Sequence, residues 1–286
     1  MRYEAPSTVD EAVALLAGAK GAARVLAGGT DLLVQMRAGM TSPGLIVDIK
    51  GIAETKGISV AGDGFRIGAS VAGAEMGEHA DLTAAWPGIV EGAELIGSTQ
   101  VQSRATMAGN LCNASPAADS VPALIAAGAT CTVAGPNGRR EVPVKDIPTG
   151  PGKTSLGAGE FIVDIKLPAR PAHASDAYLR MIPRTEMDIA IVGAGVNLVL
   201  DDKGTCTEAC VVLGAVGPTT IIVADAAAAL VGSKVDDAAL AAVSAAARAA
   251  ATPINDKRGT IEYRTKVAGV LASRAAAIAA DRARSK

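Results

Sequence analysis

Two adjacent glycines, followed at once by a threonine and an aspartate, form the first segment that could bind a ligand. In the stretch RVLAGGTDLLVQMRAG, Gly28 and Gly29 separate a predicted strand from a predicted helix. That helix begins near Thr30 or Asp31, and its first backbone N–H groups have no carbonyl partner within it, so they suit the oxygens of a pyrophosphate. A tight turn explains the glycines equally well, so this segment alone leaves both interpretations open.

A second segment, TMAGNLCNASPAAD, mixes polar side chains with small residues, so that a ligand can approach its backbone closely. The polar members are Thr106, Asn110, Asn113, Ser115 and Asp119. Each hydroxyl of a ribose or ribityl chain needs both a donor and an acceptor, and this mixture supplies them. The alternative is a capped loop before a helix that begins near Val121, but such a loop needs only one of these residues.

The remaining motifs do not indicate a metal site or a second nucleotide site. The four cysteines form no CxxC pair and the two histidines have no partner at ligand spacing, so we predict no metal site in this chain. GAGVNL lacks the third glycine of a dinucleotide fingerprint, and its glycines lie in an apolar run typical of a strand. GPGKTSL lacks the GxxxxGK spacing of a P-loop. We predict no catalytic residue.

Composition excludes other classes of protein. The formal net charge of −2 provides no cationic surface for nucleic acid. No window approaches the roughly 20 consecutive apolar residues of a membrane span. The N-terminus predicts an amphipathic helix capped by Ser7 or Thr8, not a signal peptide, and the cysteines suit a reducing compartment, so we expect the chain in the cytoplasm.

The length of 286 residues favours two or more lobes, and the patterns along the chain suggest three. Residues 1–56 alternate helix and strand in a βαβ order with a parallel sheet. Residues 57–174 contain short β-rich runs separated by Asp-Gly, Asn-Gly and Pro-Gly turns, with a helical stretch from about Leu82 to Ile96. Residues 175–286 contain longer strands, a hairpin turn at Asp201 to Gly204, and alanine-rich helices.

Five segments, in this order, resemble the FAD-binding (medium) subunit of the molybdenum hydroxylases, the family of xanthine dehydrogenase and carbon monoxide dehydrogenase. They are AGGTDLL, LIVDIKGI with FRIGASV, TMAGNLCNASPAAD, GKTSLGAGEFIVDIKLP and RTEMDIAIVGAGV, and they span nearly the whole chain. The resemblance implies an α+β protein with the FAD-binding fold of the vanillyl-alcohol-oxidase and molybdenum-hydroxylase type. A C-terminal lobe of an antiparallel sheet and helices is expected to follow it.

The resemblance also implies which residues bind FAD. The first glycine loop matches the segment whose main chain holds the pyrophosphate, and Asp119 of the second loop is suited to a flavin-side hydroxyl. Ile162 falls where the family packs an aliphatic residue on the adenine, and Arg180 falls where some members place a lysine near the pyrimidine edge of the flavin. The full set is Ala27, Gly28, Gly29, Thr30, Asp31, Leu32, Ile96, Thr106, Ala108, Gly109, Asn110, Ser115, Asp119, Ile162 and Arg180.

Three residues depart from the pattern of particular members. Ile96 stands where animal xanthine dehydrogenases have an aromatic side chain against the flavin, and Met187 stands where they have an acidic residue that helps control NAD access. Both departures disfavour NAD as the electron acceptor. Thr30 stands where the carbon monoxide members have a histidine, which disfavours carbon monoxide as the substrate.

The function implied by the resemblance is electron transfer within a larger enzyme. FAD would take electrons from 2Fe-2S clusters in a small partner subunit, and a large molybdopterin subunit would oxidise the substrate. A dimer of such heterotrimers is the expected assembly. The alternative is a self-contained FAD-dependent oxidase of the vanillyl-alcohol-oxidase type, although such a protein is expected to be longer and to carry a substrate-cap domain.

Overall fold

The structure, a computed structural model, describes residues 1–19 and 23–286. Its N-terminal segment contains β1 (Arg2–Glu4), α1 (Val9–Gly18), β2 (Ala23–Leu26), α2 (Leu32–Arg37) and β3 (Leu45–Asp48). The strands form a parallel sheet in the order β1-β3-β2, which confirms the predicted βαβ arrangement. The sequence pattern missed β1, because three mostly polar residues show no periodicity. Of the two predicted caps of α1, Ser7 and Thr8, the N-cap is Thr8. Its hydroxyl accepts a hydrogen bond from the backbone N–H of Glu11 at 3.2 Å.

Two 3-10 turns, Ile49–Gly51 and Ala53–Thr55, connect β3 to the middle segment. Two strands and six short helices follow: β4 (Ile58–Ala61), β5 (Gly64–Gly68), α3 (Gly73–Glu78), α4 (Ala80–Ala85), α5 (Pro87–Glu94), α6 (Thr99–Gln102), α7 (Met107–Asn113) and α8 (Ser120–Ala126). The segment ends with β6 (Thr130–Gly135), β7 (Gly138–Pro143), β8 (Pro148–Gly150), β9 (Lys153–Thr154) and β10 (Phe161–Leu167). Five of these strands form an antiparallel sheet in the order β4-β5-β10-β6-β7.

The interval from about Leu82 to Ile96 is mostly helical, as predicted, but it forms two helices instead of one continuous helix. That interval contains α4 and α5, which are separated at Trp86. Pro87 begins α5, and proline is tolerated at a first helical position but not inside a helix, because it lacks a backbone N–H. His79 marks another boundary, since its ring nitrogen accepts the backbone N–H of Leu82 at the start of α4.

The C-terminal segment contains β11 (Ala174–Met181), β12 (Val192–Leu200), β13 (Cys206–Gly214), β14 (Ile221–Ile222), α9 (Ala224–Leu230), α10 (Asp237–Ala250) and α11 (Ile261–Arg284). Its strands form an antiparallel sheet in chain order. The predicted hairpin turn is confirmed, because the N–H of Gly204 donates to the Asp201 carbonyl at 2.8 Å. The buried face of α11 is mostly alanine, so this helix lies close to β11 and β12.

Two hydrophobic cores support this architecture. One combines buried residues of the N-terminal segment with those of the middle segment, and the other belongs mainly to the C-terminal sheet and its helices. The predicted α+β class, with a final lobe of antiparallel sheet and helices, is confirmed. The division of the chain at residues 56 and 174 stays a prediction.

Polar groups and the single tryptophan lie where α5 meets β11. The Asp176 carboxylate is 2.5 Å from the Arg170 guanidinium and accepts the backbone N–H of Ile89 at 3.0 Å. Trp86 is buried, and the Arg170 guanidinium stacks 3.6 Å above its ring centroid. The contact between the middle and C-terminal segments is therefore partly ionic.

GAGVNL is a strand segment, as predicted, and its glycines allow close packing. Gly195 lies in β12, where a Cβ atom would be 2.7 Å from the backbone carbon of Pro122 and 2.8 Å from the nitrogen of Ala123. These atoms belong to the main chain of α8, which cannot move aside as the end of a flexible side chain can.

We therefore expect Gly195→Ala to lower the free energy of unfolding by about 1–3 kcal/mol, the usual cost of overpacking. Gly18→Ala is the matched control, since a Cβ atom there meets nothing within 4 Å, and it should be neutral or slightly stabilising. Urea unfolding of the two variants and the wild type makes the comparison. Equal stability of the two variants would contradict the close packing at β12.

Candidate functional site

A cleft of about 560 Å³ opens between the β2–α2 loop, α7 and the segment that leads into β10. This volume is typical of a small-molecule site. Most of the predicted binding residues line it: Ala27, Gly28, Gly29, Thr30, Asp31, Leu32, Ile96, Thr106, Ala108, Gly109, Asn110 and Ile162. The folding thus brings both predicted loops to one cavity. Ser115, Asp119 and Arg180 do not line it.

The glycines of the first loop are required by the packing of the chain itself. A Cβ atom on Gly28 would overlap the Arg104 carbonyl oxygen. Gly29 has a φ of 81°, a conformation that favours glycine, and a Cβ there would be 2.9 Å from the Leu26 side chain. The tight turn is therefore real, but it does not exclude a ligand.

The start of α2 has donors available to a ligand. The first backbone bond of the helix runs from the N–H of Leu33 to the Gly29 carbonyl, at 3.0 Å. Within the described chain, the N–H groups of Thr30, Asp31 and Leu32 have no backbone acceptor, and these residues line the cleft. The tight turn and the anion-binding interpretations therefore hold together. Desolvation raises the pKa of the Asp31 carboxyl at this position.

The second loop is held in place by its own polar side chains. The Thr106 hydroxyl accepts the backbone N–H of Gly109 at 3.0 Å and caps α7. The side-chain amide oxygen of Asn110, Oδ1, accepts a hydrogen bond from the Ser120 hydroxyl at 2.8 Å, which links α7 to α8. Asn113 accepts the amide of Gln35 at 2.9 Å, which links α7 to α2. The amide nitrogens of both asparagines have no acceptor among the described residues, so they can donate into the cleft.

Sequence reasoning missed one wall of the cleft. Residues 156–161 line it, and only the adjoining Ile162 had been assigned a role. Gly159 has a φ of 82°, and the Glu160 carboxylate accepts the N–H of Gly157 at 2.7 Å while pairing with Arg140. The two glycines of Gly-Ala-Gly-Glu were a usable signal for such a turn.

Arg24 was also missed, and it is the only lysine or arginine among the described lining residues. Its neighbours on the wall include two carboxylates, Asp31 and Glu160. An anionic ligand would therefore depend on backbone N–H groups more than on cationic side chains.

Asp119 and Arg180 form a buried ion pair between the middle and C-terminal segments. The Arg180 guanidinium is 2.8 Å from one carboxylate oxygen of Asp119 and donates to the Leu95 carbonyl at 2.6 Å. The Tyr178 hydroxyl donates to the other oxygen of Asp119 at 3.1 Å. Asp119 directly precedes α8, so capping this helix is the alternative to a role in the FAD site, but its side chain makes no capping bond and that alternative is wrong. Its role toward a flavin hydroxyl, like that of Arg180 toward the flavin, stays a prediction.

Ser115 also has a local role, because its hydroxyl accepts the backbone N–H of Ala117 at 3.2 Å. Within residues 1–19 and 23–286, no three His, Cys, Asp or Glu side chains are grouped as metal ligands. No described helix is long and apolar enough to cross a membrane.

Comparisons with known proteins identify the chain's relatives. Residues 1–170 match the FAD binding domain in molybdopterin dehydrogenase, and residues 177–279 match the CO dehydrogenase flavoprotein C-terminal domain. The carbon monoxide dehydrogenase medium chain of Afipia carboxidovorans is 35% identical over 283 residues, covering 99% of this chain and 97% of its own. The xanthine dehydrogenase FAD-binding subunit of Escherichia coli is 34% identical over 221 residues, covering 77% of this chain and 75% of its own.

A solved structure agrees with these matches. A chain of the reconstituted CO dehydrogenase from Oligotropha carboxidovorans superposes with a TM-score of 0.94 at 33% identity, covering 99% of this chain and 98% of that one. The match spans the FAD-binding part and the C-terminal lobe. It confirms the predicted fold.

The Asp119–Arg180 pair predicts a pH dependence of stability. Burial raises the pKa of the Asp119 carboxyl to about 6, against the opposing attraction of the Arg180 guanidinium. The native state therefore holds this proton more tightly than the unfolded chain, whose aspartates have a pKa of about 3.9. The resulting stability is fully present below about pH 4 and is lost as the pH rises through about 6.

Asp119→Asn cannot ionise, so the stability of the wild type relative to this variant should fall by an amount of the order of 3 kcal/mol between about pH 4 and pH 7. Urea unfolding at a series of pH values measures the difference. Asp63→Asn, in the exposed turn between β4 and β5, controls for the loss of one carboxylate. Parallel curves for the wild type and Asp119→Asn would show that the pair does not titrate in this range.

Proposed function

The chain belongs to the family of FAD-binding subunits of molybdopterin dehydrogenases, and from this premise we propose that it transfers electrons from the 2Fe-2S clusters of a small partner subunit to an external acceptor. It is an FAD subunit of a molybdenum-containing dehydrogenase, and FAD is its cofactor. A large molybdopterin subunit completes the proposed enzyme, as a dimer of heterotrimers. FAD, when bound, can accept electrons singly and deliver them in pairs.

The cleft carries this proposal, because its donors fit the pyrophosphate of FAD. The unpartnered N–H groups of Thr30, Asp31 and Leu32 lie at the positive end of the α2 dipole, which favours negative charge. Arg24 is the only described cation on the wall, so the main chain provides most of the binding. The amides of Asn110 and Asn113 can donate to hydroxyl groups of the ligand, and Ile162 offers an apolar surface for the adenine.

Exposed apolar residues support the need for partner subunits. None of the residues of α2 is buried, although the helix reads LLVQMR, and Val34 is 63% exposed. Met40, just after α2, is 77% exposed. Met187 is 54% exposed. It packs beside Gly97, because a Cβ atom added to that glycine would lie 3.6 Å from the Met187 sulfur. Gly97 directly follows Ile96, which lines the cleft. Apolar surface at the edges of a cofactor cleft is typical of a site that another subunit covers.

The cysteines support a cytoplasmic location for the chain. All four cysteines are free, as expected of a protein that works in a reducing compartment such as the cytoplasm.

Met187 and Ile96 support an electron acceptor other than NAD. The substrate pocket is assigned to the large subunit, which leaves this chain with binding and positioning of FAD.

The proposed transfer can be tested in the native complex. The complex is purified and its large subunit is identified by peptide sequencing, and its substrate is then added without an acceptor. The flavin absorbance of the complex should bleach, and the isolated chain given the same substrate should not change. If the isolated chain alone turned over a small alcohol or amine with oxygen, the self-contained oxidase would replace the proposal.

Gly28→Ala tests the loop that holds the pyrophosphate. The added methyl group must push the loop away from the Arg104 carbonyl, and losing two hydrogen bonds to a charged group costs on the order of 3 kcal/mol or more. FAD affinity should therefore fall about a hundredfold, as measured by fluorescence titration. Gly150→Ala is the control, since its nearest neighbour is the Lys153 side chain at 4.0 Å. Wild-type affinity in a folded Gly28→Ala variant would refute the assignment.

Assembly should tighten the binding of FAD. If the partner subunits prefer the FAD-loaded form, linkage requires that they raise the affinity for FAD by the same factor. The rate of FAD dissociation should therefore be lower in the reconstituted complex than in the isolated chain. Gel filtration with absorbance detection compares the two. Equal dissociation rates would show that the partners do not contribute to the FAD site.

A further inference from the structure

A second cavity lies outside the FAD cleft, with a volume of about 240 Å³. Three basic side chains line it: Lys50, Lys56 and Arg104. Lys50 lies in the turn after β3, Lys56 just before β4, and Arg104 after α6. The fold therefore brings together cations from distant parts of the sequence, and the predicted FAD-binding residues of the cleft do not line this cavity.

The positive charge in this cavity is only partly neutralised. Lys50 is paired with Asp48 at 2.7 Å. Lys56 and Arg104 have no salt bridge and no side-chain hydrogen bond within the described part of the chain. The Glu75 carboxylate also lines the wall, but one of its oxygens accepts a backbone N–H at the start of α3, at 3.1 Å. Lys56 and Arg104 together outweigh the single Glu75 carboxylate, so a net positive charge faces one concave space and attracts an anion.

The remaining groups on the wall indicate what kind of anion fits. Ser103 lines the cavity and its hydroxyl has no partner among the described residues, so it can donate to a ligand. The guanidinium of Arg104 matches the spacing of two oxygens on a phosphate or carboxylate, and the Lys56 ammonium adds a compact charge. The cavity is smaller than a typical site for a drug-sized ligand, which favours a small anion.

We propose that this cavity binds a small anion that carries a phosphate or carboxylate group. Arg104 connects it to the FAD site, because its side chain lines this cavity while its carbonyl oxygen lies against Gly28 of the FAD loop. The cavity and the FAD cleft share no lining residue, so the two ligands would occupy separate sites.

Titration of the full chain with inorganic phosphate, and separately with malonate, tests the proposal at constant ionic strength. The chain is first saturated with FAD, so that phosphate cannot enter the place of the FAD pyrophosphate. Calorimetry should show saturable binding of at least one of the two anions. Lys56→Gln and Arg104→Gln should each weaken that binding about tenfold or more, since each removes one charge-assisted contact.

Lys266→Gln and Arg274→Gln are the matched controls, because both residues are exposed on α11 and form no salt bridge among the described residues. Their anion affinity should equal that of the wild type. The flavin spectrum and melting temperature of each variant are recorded first, and if one cavity variant does not fold, the other decides. The proposal fails if neither anion binds saturably, or if cavity and control variants lose affinity equally.

Discussion

The contact between Gly28 and the Arg104 carbonyl is the constraint on which the site depends. It joins the β2–α2 loop of the N-terminal segment to the chain that leads into α7, and no side chain can be accommodated between them. The N–H of Gly73 donates to the Ala105 carbonyl at 2.9 Å, which holds the same stretch from its other side. Because the backbones meet here, the β2–α2 loop and α7 line one cleft, and the first N–H groups of α2 are left without a backbone acceptor in the described chain.

Close approach of backbones recurs through the molecule and explains its unusual composition. Aromatic residues make up only 2% of the chain, and much of the apolar content is alanine. Gly195 allows the main chain of α8 to pack directly on β12. Gly269 of α11 likewise packs against the Ser244 carbonyl of α10. Small side chains thus allow dense packing without aromatic bulk, while buried charges such as Asp119 and Asp176 set the contact between the two cores.

Local signals in the sequence predicted the first loop and most of the longer strands, because glycines, caps and alternating apolar residues determine structure within a few positions. Thr8 and Thr106 are caps of this kind. The break at Pro87 was also readable, since proline rarely lies inside a helix. Asp119 shows the limit of such reasoning. Its burial and its bonds to Tyr178 and Arg180 arise when a distant strand packs on α8, and nothing near Asp119 in the sequence shows which residues will meet it.

Trp86 gives this architecture a built-in optical reporter. It is the only tryptophan of the chain, it is buried, and the Arg170 guanidinium covers its ring where α5 meets β11. Indole emission therefore comes from a single place, the contact between the middle and C-terminal segments. A red shift of that emission signals separation of the two segments, and energy transfer to the isoalloxazine ring of bound FAD depends on their arrangement. The native protein can thus be observed by fluorescence without an attached dye.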